Sequence, residues 1–243
     1  MISEEAQQKP ILDKIKAESH WRILSRPEIF RKDLFPTLHE LHEHLEKSKV
    51  SLRGWDFPHL NTKEYLLNED YLMAWCDWNG IREYWKYFQS GQFVHYSNFI
   101  EKNYPGMHER GAQMSIGNIP ERVSGYISLF SNLYRFTEAI EFFKRVYSKL
   151  DGSERISIKI EVNGLKNNLL YFGDQPRVHL QPLLSYSDSY QSEKKFSISE
   201  VFENSNQISL DWSLEFFRTF QLQNPPMELL REQQSKLIEK RLL

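Results

Sequence analysis

Apolar residues recur three or four apart from Pro120 to Leu150, the longest such run in the chain. Val123, Ile127, Phe130, Leu133, Tyr134, Ile140, Phe143, Tyr147 and Leu150 would share one wide face of a helix, and a face that wide needs a sheet against it. Asn118 as a cap, Pro120 in the first turn and Asp151-Gly152 at the far end bound the pattern. It predicts a rod of roughly 45 Å for about thirty residues.

Period-2 stretches supply the sheet. His20 to Pro27 reads as a strand stopped by proline, and Tyr71 to Ile100 as an antiparallel meander turning at Asn79-Gly80 and Ser90-Gly91. Ile156, Ile158, Ile160 and Val162 alternate with polar residues, and Asn163-Gly164 predicts a hairpin into Leu165 to Phe172. Val50 to Leu60 reads as a further strand, with Gly54 marking a bulge or a close backbone approach. Asn103 to Asn118 and Ser185 to Lys195 lack a period and read as loops, the first able to act as a lid.

Further helices complete the pattern. Ser3 to Glu18 predicts a short polar helix, and Leu34, Leu38, Leu41 and Leu45 form a stripe that Thr37 caps. Leu210 to Phe220 is apolar almost all round, so that helix should be buried. Pro225-Pro226 ends it, and Leu229, Leu230, Leu237 and Ile238 mark a last helix over Met227 to Leu243, docked in cis or available for homo-oligomerisation. The fold class is therefore α+β: a mainly antiparallel sheet, meander plus hairpin, covered by a long central helix and C-terminal helices. Residues 1–19 form a polar helical arm and 20–243 a single domain.

Composition narrows the function. With 40% apolar and 14% aromatic residues a packed core is assured, and 31 basic against 33 acidic residues leave no bulk field for nucleic acid or anionic lipid. A lone Cys76, an acidic polar start and no apolar run of membrane-spanning length predict a cytoplasmic protein with no membrane contact.

Three histidines on one helix, His39, His42 and His44, invite a metal reading, but they stand at i, i+3 and i+5 rather than at the i, i+4 spacing of a zinc helix. They read as a solvated face, and neither metal nor cofactor is expected. Arg53 and Asp56 flank Gly54-Trp55 in an apolar setting, so they need partners. As a site, Arg53 would clamp an anion while Asp56 pairs with His59; as structure, the charges would fix a strand end. Projection of the long helix places Glu141 on its apolar face and Glu138 at the edge, predicting an Arg53–Glu141 or Arg53–Glu138 pair beneath a cleft walled by Trp55 and Trp85. The binding or buried polar network would comprise Arg53, Trp55, Asp56, His59, Glu83, Trp85, Gln89, Gln92, Glu138 and Glu141. The aromatic residues of the meander read as core before they read as a base-stacking platform.

The segments His20–Pro27, Ser51–Leu60, Arg82–Phe93 and Phe136–Phe142 resemble an uncharacterised bacterial domain that follows AlbA-like or Schlafen-like nucleic-acid-binding domains in longer chains. The resemblance implies a bacterial regulatory or defence setting; it transfers no catalytic residue and, with no such domain ahead of this segment, no nucleic-acid role. No dinucleotide fingerprint, phosphate loop, nucleophile elbow or paired CxxC occurs. Two functions follow. The first is a non-catalytic ligand-sensing or protein-interaction module, with a protein partner and a small-molecule ligand. The second is a hydrolase- or nuclease-type enzyme using Asp56, His59 and Glu83 with His95, Glu138 or Glu141. Convergence of three such groups in an open cleft would favour the enzyme.

Overall fold

The computed structural model describes residues 4–60, 66–67, 69–99, 101, 105–116, 118–173 and 181–240. The outer ends of four predicted segments, at Ser3, Ile100, Asn103 and Leu243, lie outside them. Helix α1 (Glu4–Lys16) precedes β1 (His20–Pro27), and α2 (Leu38–Ser48) leads into a tiny hairpin of β2 (Val50–Ser51) and β3 (Asp56–Phe57). Next come β4 (Leu66–Leu67), β5 (Tyr71–Trp78), β6 (Ile81–Phe88), β7 (Phe93–Asn98), α3 (Pro105–Ile116), β8 (Gly125–Ser128) and α4 (Leu129–Val146). The order continues with β9 (Arg155–Asn163), β10 (Asn168–Tyr171), β11 (Leu183–Leu184), β12 (Ser189–Ser197), α5 (Ile198–Phe217) and α6 (Met227–Ile238).

Seven of the described strands form one antiparallel sheet in the order β12-β9-β1-β7-β6-β5-β4, so the class is α+β with a mainly antiparallel sheet. Helices α4 and α5 lie side by side on its inner face. Trp21 of β1 meets Phe136 of α4 edge-on at 5.0 Å and Phe216 of α5 at 5.7 Å, while Phe93 of β7 packs on Phe142 at 4.8 Å. Ile156, Ile158, Ile160 and Val162 belong to the same buried face. On the outer face Ile11 and Ile15 of α1 cover Met73, Tyr84 and Tyr96 in a second cluster. Helix α6 docks within the chain, burying Leu230 and Leu237. Among the described residues no helix is long and apolar enough to cross a membrane.

Five local expectations change, each for a physical reason. The central helix runs 18 residues, about 27 Å, instead of about thirty. Gly125 to Ser128 leave helical geometry to pair in parallel with Asn168–Tyr171, and Ser128 rather than Asn118 caps the helix by accepting from Ser131 N–H at 3.3 Å. The Val50–Leu60 strand is instead the β2–β3 hairpin, whose tip needs Gly54 for its φ of +80°; no atom crowds that glycine, so close approach is not its purpose. The predicted Asn163-Gly164 hairpin does not form: beyond Gly164 the chain stays opposite the stretch that pairs with β9, Leu165 N–H donating to Asp188 O and Leu169 and Leu170 pairing with Leu184 and Leu183. β10 thus lies between β8 and β11 in a separate three-stranded sheet, while both edges of β9 are taken by β1 and β12. Residues 105–116 of the predicted loop form α3, which seats its small Gly111 and Ala112 against that sheet. Ser185–Lys195 runs mostly into the edge strand β12, where the inward Ser192 hid the alternation that Tyr190 and Phe196 carry.

A candidate ligand cavity

A cavity of about 430 Å³ opens where the large sheet, the β2–β3 hairpin, α3 and α4 meet. Helix α4 is apolar toward the sheet through Leu133, Phe136 and Ile140 but turns Ser131, Asn132, Arg135 and Glu138 to the cavity, spaced so that they share one stripe. Strand β6 contributes Ile81, Arg82 and Glu83, and the neighbouring end of β7 adds Ser97 and Asn98, since Glu83 stands in register with Ser97. The hairpin tip contributes Arg53, Trp55 and Asp56; Trp21, Phe99 and Met107 add apolar wall.

Arg53 and Glu138 form a two-point ion pair, Nε to Oε1 at 2.9 Å and Nη2 to Oε2 at 2.6 Å. Glu138 is almost sealed, at 3% exposure of its side chain against 30% for Arg53, whose guanidinium also lies 5.4 Å from the Tyr134 ring. Burial depresses the Arg53 pKa, but Glu138 outweighs it and the net shift is upward. The pair ties the hairpin to α4.

Glu83 is the second fixed charge. Its Oε1 accepts the His59 backbone N–H at 2.6 Å and lies 2.9 Å from His95 Nε2, out of hydrogen-bonding alignment, and its Oε2 accepts from Trp55 Nε1 at 3.3 Å. Burial pushes this carboxyl up, but His95, Arg135 and the His59 N–H outweigh it and hold it at about 2. Burial drives His95 below its ordinary value against the pull of Glu83, so His95 is neutral at pH 7. Behind Glu83, burial and then the Glu83 charge push the Cys76 thiol up to about 12, which makes it a poor nucleophile.

The other predicted site residues disperse. Asp56 lines the cavity but bonds Ser51 Oγ rather than His59, whose ring instead stacks on Trp55 at 3.9 Å and 15°. Trp85 is buried beneath, its indole donating to His59 O at 2.9 Å, and so walls no cleft. Glu141 points to the opposite side of α4, where it accepts from Ser205 Oγ at 2.6 Å. Gln89 donates to Phe35 O at the far end of the meander, and Gln92 borders a groove on the outer sheet face; neither reaches the cavity. His39 and His42 sit beside Glu43 and Glu46 on the α2 surface, whereas His44 turns inward to Val146 O at 2.7 Å. Among the described residues no group of three or more His, Cys, Asp or Glu side chains is placed to hold a metal ion.

Three residues that sequence reasoning passed over complete the lining. Arg82 pairs with Glu18 at 2.7 Å and lies 3.3 Å from Asp77. Arg135 donates to Ser97 Oγ at 3.1 Å and lies over the Phe57 ring at 5.5 Å, with no carboxylate within 4.0 Å among the described residues. Glu101 is 4% exposed, and its Oε1 has no hydrogen-bond partner there. Arg135 was legible as the residue between Ser131 and Glu138 on the polar stripe of α4; Glu101 carries no sequence signal. A larger open groove of about 490 Å³ at the kink of α5 by Asn204 is less promising, because its buried polar groups are already bonded, Gln234 to Ser209 and Asn206 and Ser205 to Glu141. Compared with protein-family models, curated proteins and solved structures, the chain matches none.

Proposed function

We propose that the chain is a non-catalytic ligand-sensing module of the cytoplasm, and that its ligand is a small molecule held in the cavity between the hairpin, α3 and α4. The observation that carries this reading is a cavity of binding-site size in which charged groups are pre-positioned beside aromatic wall. Arg53 is locked by Glu138 and Glu83 by two N–H donors, so a ligand meets groups whose ordering cost was met on folding. A bacterial regulatory or defence setting, as the resemblance implies, suits a sensor. The acid–base reading fares worse. Of its six candidates only Glu83 and His95 bring their side chains within ion-pair distance, His59 meeting Glu83 through its backbone alone; His95 is sealed, and a carboxyl held at about 2 is a weak general base near neutrality.

Filling the cavity tests the proposal. Ser131→Phe puts a ring into the space from a half-buried helix position. In a thermal-shift screen against a metabolite library, confirmed by native mass spectrometry, some compounds should stabilise the wild type and not this variant. If no compound shows that difference, the sensing role falls.

A further inference from the structure

Three arginines line the cavity, and two of them are committed. Arg53 is held by Glu138 and Arg82 by Glu18, whereas Arg135 has no carboxylate within 4.0 Å among the described residues. Its guanidinium is nevertheless fixed in place. Nη2 donates to the buried Ser97 hydroxyl at 3.1 Å, and the group lies over the Phe57 ring at 5.5 Å. Nε and Nη1 make no hydrogen bond among the described residues, and neither atom is sealed off as the Glu101 Oε1 is. A half-buried guanidinium with most of its five N–H donors unused therefore presents an oriented donor edge to the space it lines.

The acidic groups of the same wall are already satisfied. Both Glu138 oxygens accept from Arg53, the Glu83 oxygens accept from His59 N–H and Trp55 Nε1, and Asp56 is taken by Ser51 and Lys49. The uncommitted charge of the wall is thus positive. Glu83 and Glu138 instead limit how much negative charge can enter: one charge is met by the Arg135 fork, while a second, as on a phosphate monoester, would face two fixed carboxylates.

Size and apolar wall define the rest of the ligand. A volume of about 430 Å³ lies toward the lower end of ligand cavities, which run from ~300 to 1,000 Å³, so one ring system or a short branched chain fits. Trp21, Phe99 and Met107 offer such a body its apolar surface. We infer that the cavity binds a small monocarboxylate with an apolar or aromatic body: the carboxylate accepts from Arg135, and the body packs on Trp21, Phe99 and Met107. This assignment rests on the sensing role proposed above.

Isothermal titration of the intact wild-type chain tests it. The probes are 3-phenylpropionate, phenylacetate, indole-3-acetate and 4-methylpentanoate, each beside its primary amide, with phenyl phosphate as the dianion and 2-phenylethylamine as the cation. At least one acid should bind, and its amide, the phosphate and the amine should bind about tenfold more weakly or worse, the scale of one lost charge-assisted bond. Arg135→Gln should lower the affinity of the acid to that of its amide. An amide or a phosphate that binds the wild type as tightly as the acid overturns the inference without any variant, and so does an acid whose affinity survives Arg135→Gln. If no acid binds while other compounds are lost on Ser131→Phe, the ligand class is wrong and the sensing role stands. If no compound of any class responds to Ser131→Phe, both fall.

Discussion

Glu83 and Glu101 border one cavity, yet their surroundings act on them in opposite directions. Glu83 is paid in N–H donors and held at about 2, below its ordinary 4.5, so its charge stabilises the fold above pH 4.5 and that contribution drains away as pH falls toward 2. Glu101 is raised, so its ionisation burdens the fold, and the burden grows as pH rises above 4.5. Isosteric amides should therefore give opposite results. Glu83→Gln should lower stability at pH 7 by roughly 1–3 kcal/mol and flatten the acid limb between pH 4.5 and 2. Glu101→Gln should raise stability at pH 7 by about 1 kcal/mol, with the gain gone below pH 4.5. Urea melts across pH 2–8 read both; a loss at pH 7 for Glu101→Gln would show that its carboxylate is structurally satisfied.

At the scale of elements, the hairpin β2–β3 has two ladder residues per strand and is far too short to hold itself in place. Phe57 anchors one side, edge-on to Phe142 at 5.5 Å, and the Arg53–Glu138 fork anchors the tip. Arg53→Ala would leave Glu138 nearly sealed with its charge unpaired. We expect a loss of about 3 kcal/mol, the low end for a broken buried pair because Arg53 keeps some contact with water. For a chain of this size that is roughly 6–12 °C in Tm. Glu138→Gln added to Arg53→Ala should restore part of it, and a single-variant loss below about 1 kcal/mol would mean that the hairpin is held by packing alone. The pairing of an arginine in an apolar block with a glutamate on the α4 pattern was legible because buried charges need partners. What was not legible was that Gly54 makes a turn instead of a bulge: four residues between two-residue strands look like strand to any period-2 reading. The same limit hid β8, since Gly125 to Ser128 fit the helical stripe and only the parallel partner in β10 shows them as strand.

Across the whole molecule the apolar side chains form separate clusters, and the cavity lies at a seam between them. The large cluster joins the seven-stranded sheet to α4 and α5, and its rows, Ile156 to Val162 above all, were plain in the sequence because alternation reports a two-sided environment directly. The small cluster of Ala112, Leu169, Tyr171 and Leu184 joins α3 to the second sheet; Pro105, Gly106 and Gly111 break the period of α3, which therefore reads as loop, while Leu165 to Phe172 reads as a hairpin arm. Met107 and His108 come to the cavity from α3, Glu101 from just beyond β7, and Arg135, Glu138 and Glu83 from α4 and β6, so no single periodic stretch carries the site. Size sets the energetics. Few apolar groups hold α3, supplemented by His108 with the Tyr171 hydroxyl and Ser115 Oγ donating to Gly173 O at 2.7 Å. Local opening there should cost less than global unfolding. Native-state hydrogen exchange should accordingly give the α3 amides from Met107 to Ile116 a lower opening free energy than the amides of β1, β7 and β9, with little dependence on denaturant, while the latter follow the global transition. A compound that bridges the seam should raise the α3 values toward the global one, as binding to the closed state requires. Equal protection of both units in the ligand-free chain would make them one cooperative block and remove α3 as the part that responds.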